Sequence, residues 1–466
     1  MKSIFKSLAG NTLIFAIGNG VTLIIAFIMV PFYTKVLSPS DFGISDIIVT
    51  TTSMLLPLVS LNIFAAIFRF ALDKESNRET LFTNGLNVTL IGIAASVFVS
   101  GILEAFGLSY ALLVGLYLSA TLLLNFFQNF VRGIEHVKTF ALSGIIATVT
   151  NVASNLLLMW VFKLGLNGYL FSLLISTLVT VIFLAIVEKL HRYVKWTSKS
   201  WTETKALLKY SIPMIPNSFA WWLTNDANKI IILMFMGPGA NGILAVANKI
   251  PTMLSTFFGM FANAWQMTAV EEDGKASTSE LHRVVFTLVF GFLITGCAVI
   301  VLFIKPFMSI YVDPKFFSAW TIVPILLLTS VFSNMSAFFG TTYLVAKKTA
   351  GLITTTLWGM LANIALSFAL VPIIGLNGAG VSGSLGFLLV TILRYRQTQK
   401  FVPVKVNWSI LSAFIALYGI VSILTLTNQP LFYGGAIILA MITLLVKALP
   451  HTAKVALKGK LKLKTN

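Results

Sequence analysis

Ser38-Pro39-Ser40-Asp41-Phe42-Gly43-Ile44 and, 199 residues later, Gly237-Pro238-Gly239-Ala240-Asn241-Gly242-Ile243 share the pattern Pro-x-x-x-Gly-Ile. Each lies between two long apolar stretches: 11–33 and 44–68 around the first, 211–235 and 242–268 around the second. A further pair recurs at an offset of 210. Lys138-Thr139 leads to Gly165-Leu166-Asn167-Gly168, and Lys348-Thr349 leads to Gly375-Leu376-Asn377-Gly378, with a spacing of 27 inside each. Self-similarity at a fixed offset is the mark of a repeated unit. One Gly-rich turn would say little, but two ordered pairs in matching positions point to two copies of one helical lobe.

Composition places those lobes in a membrane. Of 466 residues, 57% are apolar and 10% charged, and the mean hydropathy is +0.91; a soluble domain carries about 25% charged residues. With 15 acids and 33 bases the chain cannot clothe a water-facing surface, which excludes a soluble globule. Disorder needs low hydrophobicity and high charge, and is excluded as well. The apolar stretches are uninterrupted and longer than barrel strands, so they read as transmembrane helices. Windows of about 19 residues add spans at 81–103, 108–130, 140–162, 168–187, 284–304, 319–343, 349–373, 379–393, 408–427 and 431–447, for fourteen in all. The 379–393 span is short and is expected to start earlier. Met1–Gly10 does not read as a cleaved signal, because the run behind it is too long and lacks a small-residue cleavage site.

Basic residues give an orientation. With the N-terminus in the cytosol, 27 Lys and Arg fall on the inner side and four on the outer side, Lys35, Lys163, Lys305 and Lys315. Lys229 and Lys249 fall inside spans. This positive-inside bias predicts cytosolic N- and C-termini. It also accounts for the net charge of +18 without nucleic acid, since no loop is long enough to build a basic face. The tail Lys454–Lys464 suits anionic lipid headgroups.

The expected fold class is therefore an all-α polytopic membrane protein of fourteen transmembrane helices. Residues 1–187 form an N-terminal lobe, 188–210 a basic cytosolic linker and 211–393 a C-terminal lobe. Residues 394–448 carry spans 13 and 14, and 449–466 form a basic tail. Six spans per lobe is an even number, so both copies enter the membrane in the same direction. That predicts a pseudo-twofold along the membrane normal, a central cavity and alternating access.

Chemistry of the usual enzymatic kinds has no foothold. Cys297 is the one cysteine and reads as a packing residue, so neither an intrachain disulfide nor a Cys zinc cluster is available. His136, His191, His282 and His451 are widely separated. No HExxH, GxSxG, GxGxxG or GxxxxGK[ST] pattern occurs, and no cofactor, metal or catalytic residue is expected. Uphill work would come from an ion gradient or a partner.

Ionisable residues at membrane depth need a reason. Asp226 lies about 16 Å from the outer end of span 7, Lys229 about 12 Å, and Lys249 about 10 Å into span 8. Asp226 and Lys229 are i, i+3 neighbours on one face. They read either as a lobe-internal salt bridge or as part of a cationic cavity wall with a carboxylate able to take a proton or Na⁺. Lys249 reads either as snorkelling or as a second cation of that wall. Asp46, near the outer rim of span 2, and Arg69, near its inner end, have cheaper explanations. Trp221, Trp222, Asn225 and Asn228 in span 7 and Asn248 in span 8 complete the candidate site, amides for sugar hydroxyls and indole faces for sugar rings. The plainer reading of the Trp pair is interface packing. Pro213 and Pro216 should kink or break span 7, which is tolerated where helices line a cavity.

At Tyr33-Thr34-Lys35-Val36-Leu37 running to Gly43, and at Asn228-Lys229-Ile230-Ile231 running to Asn248-Lys249-Ile250-Pro251, the chain resembles the polysaccharide transporter family. These are the Wzx-type flippases of O-antigen and capsule repeat units, in the multidrug/oligosaccharidyl-lipid/polysaccharide exporter superfamily. The resemblance covers nearly the whole chain. It implies export of an undecaprenyl-diphosphate-linked glycan across the bacterial cytoplasmic membrane, with Lys229 and Lys249 beside the diphosphate. It also implies function as a monomer and, as partners, a polysaccharide polymerase and a chain-length regulator. Spans 13 and 14 resemble those of the fourteen-helix members. Members often carry an acid directly before the basic residue of span 7; here Asn228 stands there, and Asp226 is the ion-coupling candidate. The competing readings are a multidrug exporter of the same superfamily, a peptidoglycan-precursor flippase and, from another class, a membrane polymerase or ligase. The last would need a large outer catalytic loop, whereas the longest outer segment, about Lys305 to Ala319, is short.

Overall fold

The computed structural model describes residues 20, 22–73, 76–271, 278–346 and 350–448. Among them are sixteen α-helices and no strand. Eleven helices are long and apolar enough to cross a membrane, with shorter apolar helices at Thr22–Val36 and Leu431–Lys447. The protein is an all-helical, multi-pass membrane protein. Each expected span is largely helical where described; much of 11–33 and the basic tail 449–466 lie outside the described residues. By internal contacts the chain divides into two compact units, Met1–Lys229 and Ile230–Asn466.

The first unit holds α1 (Val30–Val36), α2 (Pro39–Val59), α3 (Ile63–Ala71), α4 (Arg78–Ala105), α5 (Ala111–Gly133), α6 (Val137–Asn155), α7 (Gly165–Val187) and α8 (Trp201–Ser211). It also takes the first part of α9 (Ile215–Ala247). The opening motif is a helix start. Ser38 Oγ accepts from Asp41 N at 3.1 Å, and Asp41 Oδ2 accepts from Ser38 N at 3.3 Å. This reciprocal capping box has Pro39 in the first turn, where a missing N–H costs nothing. The second unit contains the rest of α9 and α10 (Lys249–Glu271), α11 (Thr278–Tyr311), α12 (Val323–Val345), α13 (Ala350–Ile374), α14 (Leu376–Thr398), α15 (Trp408–Leu426) and α16 (Leu431–Ala448). Here the matching motif solves the same problem differently. Gly237 breaks α9 at φ 78°, ψ −179°, a backbone region open to glycine, and Pro238 restarts the helix.

The repeat runs further than its two turns. Gly168, Ser172 and Ser176 on α7 and Gly378, Ser382 and Gly386 on α14 are 210 residues apart position by position. Ser172 Oγ donates to Gly168 O and Ser382 Oγ to Gly378 O, both at 2.7 Å. A Cβ on Gly168 would stand 3.1 Å from the Leu158 carbonyl, and one on Gly378 2.6 Å from that of Leu370. In both hairpins small residues let helix backbones touch, the usual route to helix association where lipid offers no hydrophobic drive.

Three expectations are refined. Span 2, read as one helix over 44–68, is broken. Pro57 disrupts the ladder, Leu61 and Asn62 turn left-handed at φ 51° and 52°, and Asn62 N donates to Pro57 O at 3.0 Å before α3 begins. The segment from Lys305, expected on the outer side, is partly helical, with α11 running on to Tyr311 and a 3₁₀ turn at Pro314–Thr321. Segment 188–210 is folded onto the first unit. Asn84 Oδ1 accepts from Ser200 N at 3.0 Å and from Thr204 Oγ1 at 3.1 Å. Thr83 Oγ1 accepts from Lys195 N at 2.9 Å. Leu190 and Leu207 bury themselves in the core of Phe82, Phe126 and Phe130.

Candidate functional site

The local sequence sets the geometry. Pro213 lies in a 3₁₀ turn (Ile212–Met214) and Pro216 in the first turn of α9, so the two prolines separate α8 from α9, as their missing N–H groups require. From there α9 runs without a break to Gly237 and aligns Trp222, Asp226 and Lys229 on one face, at i, i+4 and i+7.

That face meets α2. Lys229 Nζ lies 3.0 Å from Asp46 Oδ2 and 3.1 Å from Asp226 Oδ1. It also donates to Thr50 Oγ1 at 3.1 Å. The three ammonium hydrogens thus have three oxygens in reach, two of them carboxylate. Asp46 and Thr50 are i, i+4 on α2, so one helix face supplies the carboxylate and the hydroxyl together. Side-chain exposure is 20% for Lys229, 22% for Asp46 and 28% for Asp226. The group is largely withdrawn from its surroundings yet still reachable. Its formal charge is one negative in excess.

Trp222 fixes the approach of the two helices. Its indole N–H donates to the Thr50 carbonyl at 3.1 Å, its ring stacks on Phe219 with centroids 5.9 Å apart, and it is 7% exposed. The structure therefore places Trp222 as the strut beside Lys229. Asn228 is half-buried on α9. The side chains of Trp221 and Asn225 lie outside the described residues. Asn248 and Lys249 belong to the second unit, at the junction of α9 and α10. Asn248 N donates to Leu244 O at 2.9 Å, its carbonyl accepts from Thr252 N at 3.0 Å, and Lys249 is half-buried.

Sequence reading paired Lys229 with Asp226 and passed over Asp46 and Thr50. A usable signal existed. Asp46 stands about 10 Å down its helix from Pro39 and Lys229 about 12 Å from Gly237, so the two motifs place the residues at matching depth. With one cation between two acids, the cluster can exchange partners. A proton or metal cation on either carboxylate weakens that acid's hold on the ammonium, which can then meet an anion.

Comparison with known proteins agrees with this architecture. The family model described as polysaccharide biosynthesis protein matches residues 8–270. No curated protein sequence matches the chain. Among solved structures, the lipid II flippase MurJ in an inward closed conformation superposes with a TM-score of 0.67 at 12% identity, over 94% of this chain and 98% of that one. An inward-facing multidrug resistance transporter of the MATE family gives 0.60 at 13% identity, over 84% and 95%. A superfamily transporter from Pyrococcus furiosus, described as having a binding pocket of reverse polarity, gives 0.57 at 14% identity, over 86% and 95%. The fold is that of the multidrug/oligosaccharidyl-lipid/polysaccharide exporter superfamily, and with more than half of its length matched by the family model, the chain belongs to the polysaccharide biosynthesis protein family.

Proposed function

We propose that this protein exports an undecaprenyl-diphosphate-linked oligosaccharide repeat unit across the bacterial cytoplasmic membrane by alternating access, driven by a proton or Na⁺ gradient. The observation that carries the reading is the Asp46–Lys229–Asp226 cluster. An ammonium at membrane depth is costly unless it is paired or used, and here it is held in reserve between two acids. Occupation of Asp46 or Asp226 by the coupling cation releases Lys229, whose charge then pairs with a diphosphate oxygen. Loss of the cation restores the triad and expels the anion. Substrate and coupling ion would thus be linked through one set of charges, which is the requirement for coupling their movements. Lys249 is the candidate second cation, and Asn228 and Asn248 are candidate amides for sugar hydroxyls.

The test is gradient dependence in proteoliposomes. Wild-type flipping of a lipid-diphosphate-linked glycan should rise with an imposed proton or Na⁺ gradient. Asp46→Asn together with Asp226→Asn should flip at a slow rate that ignores the gradient. A double variant as gradient-sensitive as wild type removes the carboxylates from the mechanism. The excess negative charge of the triad favours a second reading, efflux of a cationic amphiphile. Uptake of such a compound by inverted vesicles, unaffected by lipid-linked glycan, would support it.

A further inference from the structure

Two of the four Lys and Arg residues expected on the outer face, Lys35 and Lys163, line one cavity of about 420 Å³ in the first unit, and no triad residue belongs to its lining. Phe32, Met159, Trp160 and Gly165 complete most of its wall. The end of α6 is shaped to build it. Leu156–Val161 passes into a π-turn, a form frequent at functional sites, which turns Met159 inward and leaves Trp160 67% exposed. Lys163 then takes a left-handed conformation at φ 53°, held by a hydrogen bond from Leu164 N to Leu158 O at 3.0 Å. Trp160 sits against Phe32 with ring centroids 6.2 Å apart.

The repeat shows that the fold does not demand these lysines. At the matching offsets of 199 and 210, the second copy has Met234 and Ile373, 66% and 75% exposed. The same corner in that copy is therefore apolar, the default for a lipid-facing helix end. The first copy has exchanged both positions for cations around one cavity, beside a Trp of the kind that settles at headgroup level.

We propose that this corner is a binding site for the phosphate headgroup of a lipid in the outer leaflet. Lys35 and Lys163 bracket the phosphate, and Trp160 with Phe32 receives the glycerol and first acyl carbons. The site shares no residue with the triad and does not depend on the export reading.

The experiment is native mass spectrometry of the full-length, delipidated protein titrated with dioleoylphosphatidylglycerol, with dioleoylglycerol as the phosphate-free probe. Wild type should retain one phosphatidylglycerol at concentrations where dioleoylglycerol is not retained. Lys35→Gln/Lys163→Gln should weaken that retention at least tenfold. Lys35→Arg/Lys163→Arg and Lys315→Gln, a change of another basic residue expected on the outer side, should keep it. Inorganic phosphate at the lipid's concentration should not displace it. Equal retention by the double Gln variant overturns the proposal, as does equal retention of dioleoylglycerol. Displacement by inorganic phosphate overturns the lipid assignment in favour of a soluble anion. Should the double Gln variant lose its helical circular dichroism, Lys163→Gln alone decides, with a severalfold loss expected and an unchanged affinity overturning the site.

Discussion

Lys229 on α9 and Asp46 on α2 stand 3.0 Å apart although 183 residues separate them in the chain. Because Asp226 binds the same ammonium, deleting the lysine leaves two like charges facing one another without their counter-ion. Breaking a buried ion pair costs about 3–5 kcal/mol, and the partial exposure here reduces that to about 1–3 kcal/mol. Lys229→Met should therefore lower the melting temperature in detergent. Adding Asp46→Asn to Lys229→Met should recover part of the loss, since neighbours in one network are non-additive. A thermal unfolding series on the four proteins of this cycle checks it; strictly additive losses would separate the two residues energetically.

Segment 188–210 depends on Asn84, whose Oδ1 accepts two hydrogen bonds from it. Asn84→Leu removes both acceptor contacts and leaves Ser200 N and Thr204 Oγ1 without this partner, a loss of about 2 kcal/mol. The expected result is selective. Limited trypsin digestion should cut at Lys195, Lys199 or Lys205 several-fold faster than in wild type, while the helices on either side stay intact. Unchanged cleavage kinetics would mean that the buried Leu190 and Leu207 hold the segment alone.

Much of this could be read from the residues. Long apolar runs with few charges can only be membrane helices, so the spans were legible. The turns at Pro39 and Pro238 were legible because proline and glycine act through local backbone sterics. The break at Leu61 and Asn62 was not, because Pro57 can also sit in a merely kinked helix; the choice is made by contacts beyond the local chain. Asp226 and Lys229 were legible as a pair because helical periodicity is local. Asp46 was not, because pairing α2 with α9 is a tertiary fact, and a residue near a helix end has an inexpensive solvated alternative. Segment 188–210 read as a basic linker from its charges; its packing through Leu190, Leu207 and the Asn84 contacts is likewise tertiary and was not legible.

Packing of the second hairpin gives a further expectation. A Cβ on Gly378 would meet the Leu370 backbone at 2.6 Å, and backbone cannot swing aside as a side chain can. Gly378→Ala should force α13 and α14 apart, at about 1–3 kcal/mol for overpacking, and reduce the yield of monodisperse protein. Gly435→Ala on α16 meets nothing within 4 Å and should be neutral or stabilising by up to about 1 kcal/mol. Size-exclusion profiles and melting temperatures of the two variants compare the sites directly.

Under the proposed export function, the Lys229 ammonium pairs with the anionic part of the cargo. Purified protein in liposomes containing a fluorescent, diphosphate-linked glycan lipid allows inner-to-outer transfer to be timed by quenching of the exposed label. Lys229→Gln, with its folding verified by an unchanged elution volume, should transfer at least 100-fold more slowly than wild type, and Lys229→Arg should keep a measurable rate. Transfer by Lys229→Gln at the wild-type rate would contradict this role of Lys229.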